Sequence, residues 1–208
     1  MKITVLGTGD MGAALAKALK RTRHQVFLRG SAEGSGSCKA LSESLGLPEA
    51  KIADIADSNI VFLVVPDAGL KSAAAQLEGF DGIIVSVVGV SGYLIDENKS
   101  KQSAAETVAK LVPGASVVHG YTWMSSGSVE LSSERANTSV VHCSDDRDVL
   151  NTVCHLSDEM GFKPVKAGKL INSRFAEAAG FLWGAIALEE DYGWNTYFEV
   201  HPENSTTE

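Results

Sequence analysis

The sequence predicts an α/β fold built on a doubly wound, mostly parallel sheet, and three features of its 208 residues support this. Short runs of β-branched and aliphatic residues alternate with longer segments of helical periodicity, as in proteins that cover a parallel sheet with helices. Two of these runs, 60–65 and 83–88, are apolar without alternation, which indicates strands buried on both faces. A glycine-rich turn directly follows the first run and opens a helical segment.

The expected elements follow one another in a regular order. Strands are predicted at 3–6, 26–28, 60–65, 83–88, 116–119, 138–142 and 162–165. Helices are predicted at 11–21, 39–45, 100–111, 145–160 and 170–192. Gly46 ends the second helix, with Pro48 just beyond it, and residues 30–37 have the composition of a loop.

No linker divides the chain, so we expect a single domain over residues 1–200. From about residue 120 a C-terminal extension is expected to continue the sheet and to end in a capping helix. The polar tail, 201–208, is expected to be disordered.

Composition excludes several classes of protein. Lys and Arg number 18 against 26 Asp and Glu, a net charge of −8, so we expect no nucleic acid partner. The apolar runs are far shorter than the roughly 20 residues of a spanning helix, so no membrane insertion is expected. The chain begins directly in a strand, and its three cysteines show no CxxC spacing. A cytoplasmic protein with reduced thiols is therefore predicted.

The most informative segment is the turn Gly7-Thr8-Gly9-Asp10-Met11-Gly12. Its GxGxxG pattern lies between a predicted strand and a predicted helix, which is the context of a dinucleotide-binding Rossmann-type fold. Gly7 would permit the tight turn, Gly9 would admit a pyrophosphate, and Gly12 would let the helix pack on the strand. All six residues are therefore predicted to bind the cofactor, and the alternative is a glycine-rich turn without a ligand.

The end of the second strand favours NADP(H) over NAD. NAD-selective folds place an acidic residue there, whereas this chain has Arg29-Gly30-Ser31 and no carboxylate before Glu33. Arg29 offers a forked donor for a 2′-phosphate, and Ser31 could add a hydroxyl. The alternative is that Arg29 is a solvated charge at the end of a strand.

Two further turns follow strands at the same edge of the sheet. We predict that Val65 and Pro66 after the third strand, and Val88 and Gly89 after the fourth, pack the nicotinamide and exclude water. Ordinary packing at the ends of strands is the alternative for any one of them.

Few residues are candidates for proton chemistry. His119 and Tyr121 follow the fifth strand and are weak candidates for orienting or protonating an acceptor. The other histidines show no ligand-like spacing, so no metal site is predicted. The serines of 125–128 have no partner base in view, so nucleophilic catalysis is not indicated.

With these residues in hand, the sequence resembles the NADPH-dependent coenzyme F-420:NADP oxidoreductase family and the related N-terminal domains of the STEAP metalloreductases. The resemblance covers most of the chain and rests on Val5–Gly12, Val65-Pro66, Val117-Val118-His119 with Tyr121, and Ala167–Leu170 leading into Asn172-Ser173-Arg174. It implies NADPH as cofactor and a deazaflavin partner whose ring stacks on the nicotinamide. Thr122 stands where that family usually has Asn, and Trp123 is bulkier than the family pattern.

Three functions remain open from the sequence. The leading hypothesis is an NADP-dependent oxidoreductase that moves hydride between NADPH and a flavin-like or deazaflavin acceptor. The alternatives are an imine reductase resembling pyrroline-5-carboxylate reductase, for which the chain looks short, and a non-catalytic NADP(H)-binding redox sensor. The apolar helix 175–188 suggests a homodimer that buries its surface, and the alternative is a core helix buried within one copy.

Overall fold

A computed structural model describes residues 1–30, 35–88, 102–131, 138–189, 193–194 and 196–201. Five parallel strands form the central sheet: β1 Lys2–Leu6, β2 Gln25–Arg29, β3 Ile60–Leu63, β4 Ile83–Ser86 and β5 Ser116–His119. Their order across the sheet is β2-β1-β3-β4-β5. The order reverses between β1 and β3, and this is where ligands bind in doubly wound folds.

A one-residue strand extends this sheet beyond β2. Glu49 forms a parallel bridge with Leu28, whose amide donates to Pro48 O at 2.9 Å and whose carbonyl accepts from Ala50 N at 2.7 Å. Counting this bridge as a strand restores the 3-2-1-4-5-6 order of the Rossmann fold. The predicted fold class is therefore confirmed.

The C-terminal extension is a separate small sheet. Strands β6 Ser139–His142 and β7 Lys163–Lys166 pair in parallel with each other. They reach the central sheet through a single antiparallel bridge between His119 of β5 and Cys143. The expected continuation of the central sheet is wrong in this respect, because the segment after β6 runs against β5 and pairs with it through one isolated bridge.

The helices cover both faces of the central sheet. They are α1 Asp10–Lys20, α2 Gly36–Leu45, α3 Ile52–Ile55, α4 Leu70–Ala75, α5 Ala104–Leu111, α6 Ser126–Glu130, α7 Arg147–Glu159 and α8 Ser173–Leu188. Single 3₁₀ turns, Asp67–Gly69 and Leu170–Asn172, precede α4 and α8. No helix in the described ranges is long and apolar enough to cross a membrane.

Most predicted helices are present with shifted ends. Gly46 has φ +62 and ends α2 as predicted, but α2 begins at Gly36, inside the expected loop. Helices α3, α4 and α6 have four to six residues and were not predicted, since so few turns carry little periodicity. The long C-terminal helix ends at Leu188, and the expected residues 190–192 lie outside the described ranges.

The core lies on the two faces of the sheet. Residues 60–63 of β3 are fully buried, which confirms the prediction from their unbroken apolar run. One core cluster joins α1 and α7 to the sheet, and the other joins α4 and α5 to it. Alternate residues of β4 and β5 contribute to opposite clusters, and this alternation decides which side chains reach the site.

Candidate functional site

The glycine turn requires glycine at two positions for steric reasons. Gly7 has φ +110, and a Cβ there would lie 1.9 Å from Val64 O. A Cβ at Gly12 would lie 2.0 Å from Gly7 O. The start of α1 at Gly12 therefore packs closely against the loop that follows β1 at Gly7. That loop in addition packs against Val64, directly after β3.

Gly9 is different, because a Cβ at this position would meet no atom within 4 Å. Gly9 is the N-cap of α1, with extended backbone at φ −74 and ψ −174. The first amides of a helix have no partner within the helix, and the helix dipole favours an anion there. The open space at Gly9 is therefore of the kind that a pyrophosphate occupies.

A cleft of about 330 Å³ opens beside this turn. Its walls come from the turn, from the ends of β3 and β4, and from the segment after β5. It is lined by Gly9, Asp10, Met11, Val64, Val65, Pro66, Val87, Tyr121, Thr122 and Met124. Five of the predicted cofactor contacts, Gly9, Asp10, Met11, Val65 and Pro66, therefore lie together at one cleft.

The prediction for the end of β4 is off by one residue. Val88 is 1% exposed and packs in the cluster under α4 and α5, whereas Val87 lines the cleft. Successive side chains of an extended chain point to opposite faces, so a shift of one residue exchanges the two environments. The other predicted contact in this turn, Gly89, lies outside the described ranges, as does Ser31.

The end of β2 lies next to the start of α2. Arg29 is 8% exposed, and its Nε donates to Gln76 Oε1 at 2.9 Å. The alternative of a solvated charge therefore does not hold for Arg29. Thr8 shares a hydrogen bond with Ser37 (3.0 Å), which shares another with Ser35 (2.8 Å) at the N-cap of α2. Sequence reasoning missed Ser35, Ser37 and Gln76.

Tyr121 lies at the edge of the cleft, but its ring and its hydroxyl are both buried in the core. It is the only described non-glycine residue with positive φ, +61. The residue is 1% exposed, and its hydroxyl shares a 2.7 Å hydrogen bond with Ser157 Oγ in the core. Burial raises the pKa of Tyr121. The residue belongs to the cleft lining, but the geometry does not support proton transfer from this hydroxyl to a ligand.

His119 is buried and lies one side chain away from the cleft. Its Nε2 shares a 3.0 Å hydrogen bond with Thr122 Oγ1, and Thr122 is part of the cleft wall. Burial, and to a smaller extent His142, lowers the pKa of His119 to about 3. The ring is therefore neutral at physiological pH, and Thr122 rather than His119 faces a ligand.

The glycine turn, the switch point and the cleft together are typical of a Rossmann-like, NAD(P)-binding fold. Residues 2–89 match the family described as "NADP oxidoreductase coenzyme F420-dependent". This range contains the glycine turn and strands β1 to β4. The resemblance drawn from the sequence is confirmed, and the match supports NADP(H) as cofactor.

One sequence relative and several solved structures extend the comparison. Metalloreductase STEAP3 of Rattus norvegicus is 27% identical over 180 residues. The match covers 85% of this chain and 36% of the relative, so the chain spans about a third of that protein's length. The relation to the STEAP metalloreductases predicted from the sequence is thereby supported.

Among solved structures, a protein from Arthrobacter sp. FB24 designated an F420-dependent NADP-reductase has a TM-score of 0.75 at 22% identity, covering 97% of this chain and 100% of that one. An imine reductase from Myxococcus stipitatus has a TM-score of 0.62 at 19% identity, covering 89% and 61%. A 1-pyrroline-5-carboxylate reductase from Streptococcus pyogenes has a TM-score of 0.55 at 21% identity, covering 79% and 57%. These likenesses establish the shared fold.

Proposed function

We propose that this protein transfers hydride between NADPH and a flavin-like or deazaflavin acceptor in the cleft beside Gly9. The observation that carries the proposal is the position of this cleft. The turn at one end leaves open space beside the first residues of α1, and apolar side chains that follow β3 and β4 form the walls next to it. A dinucleotide with its phosphates at the turn would place its nicotinamide between those walls.

The chain supplies binding and orientation to this reaction. NADPH, when bound, supplies the hydride. The turn 7–12 would hold the pyrophosphate through the first amides of α1. Val64, Val65 and Val87 would pack the nicotinamide and keep water away, and Met124 would close the opposite wall. Direct hydride transfer between two rings depends on proximity and orientation, so it needs no acid–base residue in contact with the rings.

Selectivity for NADPH is proposed to come from Arg29 and the start of α2. Gln76 holds Nε of Arg29 and so fixes the plane of the guanidinium group. Thr8, Ser35 and Ser37 bring hydroxyl groups to the first turn of α2, where the helix dipole also favours an anion. A 2′-phosphate between these groups would receive charge-assisted hydrogen bonds that NADH cannot receive.

The selectivity proposal is tested by direct binding. Arg29→Lys keeps the charge and loses the fork, so we expect the preference for NADPH over NADH to fall about tenfold. Arg147→Ala is the matched control, because this exposed arginine lies on α7, away from the cleft. Fluorescence titration with both nucleotides measures the ratio. An unchanged ratio in the Arg29 variant would refute the assignment.

The acceptor is tested by following the absorbance of NADPH. The protein is mixed with NADPH and, in separate reactions, coenzyme F-420, FMN, FAD or ferric citrate, with NADH as the control. NADPH-specific loss with the deazaflavin or a flavin supports the proposal, whereas loss with ferric citrate alone would favour a ferric reductase. A cyclic imine added as a further substrate tests the imine reductase alternative. Binding of NADPH without oxidation in every reaction would favour the redox sensor.

A further inference from the structure

A line of three polar side chains runs from the cleft wall into the core. Thr122 faces the cleft and shares a 3.0 Å hydrogen bond with His119 Nε2. On the far side of the ring, His119 Nδ1 lies 3.7 Å from Glu177 Oε1. Within the described residues, Nδ1 has no hydrogen-bond partner although it is fully buried, so Glu177 is the group placed to satisfy it.

Glu177 is held in place by the start of another helix. It projects from α8, is 4% exposed, and accepts the amides of Ala104 at 2.9 Å and Ala105 at 3.2 Å. These amides belong to the first turn of α5. The carboxyl group is thus fixed between α5 and His119 and cannot turn towards solvent without losing both bonds.

Ser86 adds a second unsatisfied atom near the same ring. Ser86 pairs in register with His119 across β4 and β5, so the two side chains stand on the same face of the sheet. Ser86 Oγ is buried and has no partner among the described residues. Two unsatisfied polar atoms on paired residues of one sheet face call for an explanation, and a functional role would supply one.

We propose that Glu177 and His119 are positioning residues that set whether the Thr122 hydroxyl donates to or accepts from a ligand in the cleft. This inference rests on the proposed function, because it assigns the cleft to the nicotinamide and the acceptor. It adds a residue, Thr122, that recognises a hydrogen-bonding group of one of these rings, and a buried carboxyl group that controls its direction.

The direction follows from the number of protons in the line. When Glu177 is ionised, His119 Nδ1–H donates to it, Nε2 accepts from the Thr122 hydroxyl, and Thr122 can only accept from the ligand. When Glu177 is protonated, it donates to Nδ1, Nε2–H donates to Thr122, and the Thr122 hydroxyl is free to donate to a ring nitrogen or carbonyl. The imidazole stays neutral in both states and changes only its tautomer.

The pKa values of Glu177 and His119 allow this change of tautomer to occur near neutral pH. Burial raises the pKa of Glu177 to about 7; the two amides oppose this and the charge of Glu106 adds to it. His119 remains neutral throughout this range, since burial lowers its pKa to about 3. The titratable and charged groups that face Glu177 are His119 of β5, Cys143 after β6, and Glu106 of α5 with its partner Arg174.

Those neighbours keep a constant charge near neutral pH. Burial and the charge of Glu177 raise the pKa of Cys143 to about 11, so its thiol remains protonated. Burial acts to raise the pKa of Glu106, but hydrogen bonds from Arg174 and Ser103 lower it overall. Glu177 is therefore the group whose charge changes.

The tautomer of His119 is the direct readout and requires no acceptor. The protein is labelled with ¹⁵N-histidine, and the His119 ring nitrogens are followed by NMR across about two pH units on either side of 7. We expect the proton to move from Nε2 at low pH to Nδ1 at high pH, with a midpoint near 7 and without formation of the imidazolium ion. The Glu177→Gln variant keeps an amide acceptor but cannot ionise, so the His119 tautomer in this variant should not change with pH.

Kinetics then test the link to the cleft. In the wild type, the KM for coenzyme F-420 should change about tenfold across the same range, the value of one reversed hydrogen bond. Thr122→Val should lose this pH dependence and keep the tautomer titration, whereas Thr122→Ser should keep both. Thr152→Val is the matched control, because its hydroxyl donates to Asp148 O on α7, outside the cleft.

The two hypotheses fail in different ways. A wild-type tautomer that does not change with pH, or a Glu177→Gln variant that titrates like the wild type, overturns the positioning proposal. A KM that titrates equally in Thr122→Val also overturns it, because the pH dependence then arises elsewhere. Absence of turnover with every acceptor contradicts the proposed function, while the NMR result still decides the state of Glu177 and His119.

Discussion

Replacing Gly9 by alanine separates cofactor binding from folding. The backbone at Gly9, with φ −74 and ψ −174, is allowed for alanine, and the added Cβ meets no protein atom within 4 Å. Alanine is a poorer N-cap than glycine but restricts the unfolded chain, and these effects oppose each other. We expect the free energy of unfolding to change by less than about 1 kcal/mol.

The same methyl group would occupy the space assigned to the pyrophosphate. A methyl forced into a filled site costs about 2 kcal/mol, which corresponds to a roughly 30-fold increase in the Kd for NADPH. Urea unfolding measures stability and fluorescence titration measures Kd. Wild-type affinity in the Gly9→Ala variant would refute the placement of the phosphates at this turn.

Two other glycines provide the comparison. A Cβ at Gly12 would lie 2.0 Å from Gly7 O, so the two backbone segments would have to separate by about 1 Å to reach the shortest contacts that real Cβ atoms show. Gly12→Ala is therefore expected to lose about 3 kcal/mol of stability along with binding. Gly184 lies within α8 with no atom near its Cβ position, and Gly184→Ala should gain up to about 1 kcal/mol and bind NADPH normally.

Three further results are expected. First, stability should rise with pH up to about 7 and then level off. Burial lowers the pKa of His119 to about 3 and of His142 to about 4, so acid favours the unfolded chain, in which both rings are protonated; the raised pKa of Glu177, about 7, opposes this trend with one proton against two. The free energy of unfolding is measured with urea across this range. If it does not decrease below pH 6.5, the burial of the two neutral histidines is contradicted. Second, Tyr121→Phe should lose about 1 kcal/mol of stability and keep its kcat, because the hydroxyl bonds only in the core; a large fall in kcat would return it to the catalytic candidates. Third, Phe175 is 75% exposed on α8, and if this face joins two copies, Phe175→Glu should give a monomeric mass by light scattering; a monomeric wild type would remove the homodimer.

The sequence was sufficient for the features that depend on local contacts. The close approach of Gly12 to Gly7 and the left-handed end of α2 at Gly46 are set by residues near one another in the chain, so their pattern is visible directly. The end of β4 was not predictable to one residue. Its run is apolar on both faces, so no alternation indicates that Val87 rather than Val88 faces the cleft.

Features that depend on distant contacts were not predictable. Glu177 is 58 positions after His119, and only the packing of α8 against the end of β5 brings them together. Tyr121 itself has a left-handed backbone, and this conformation helps to set the direction of its hydroxyl. A tyrosine in a sequence does not indicate a positive φ. A strand of one residue, at Glu49, has no periodicity to detect.

The two single bridges at the ends of the central sheet also affect how copies of this chain can meet. An uncovered outer strand offers its free amides and carbonyls to another chain and so invites aggregation by continued pairing. Here Glu49, preceded by Pro48, lies along β2, and a charge next to a proline is a poor template for such pairing.

At the opposite edge, the carbonyl of Cys143 accepts a hydrogen bond from the amide of His119, and the Ser144 hydroxyl donates to Val117 O at 2.8 Å. Two hydrogen-bonding groups of β5, the amide of His119 and the carbonyl of Val117, are thus taken up within the molecule. Among the described residues, both edges of the central sheet therefore carry a segment that hinders its growth from one molecule to the next.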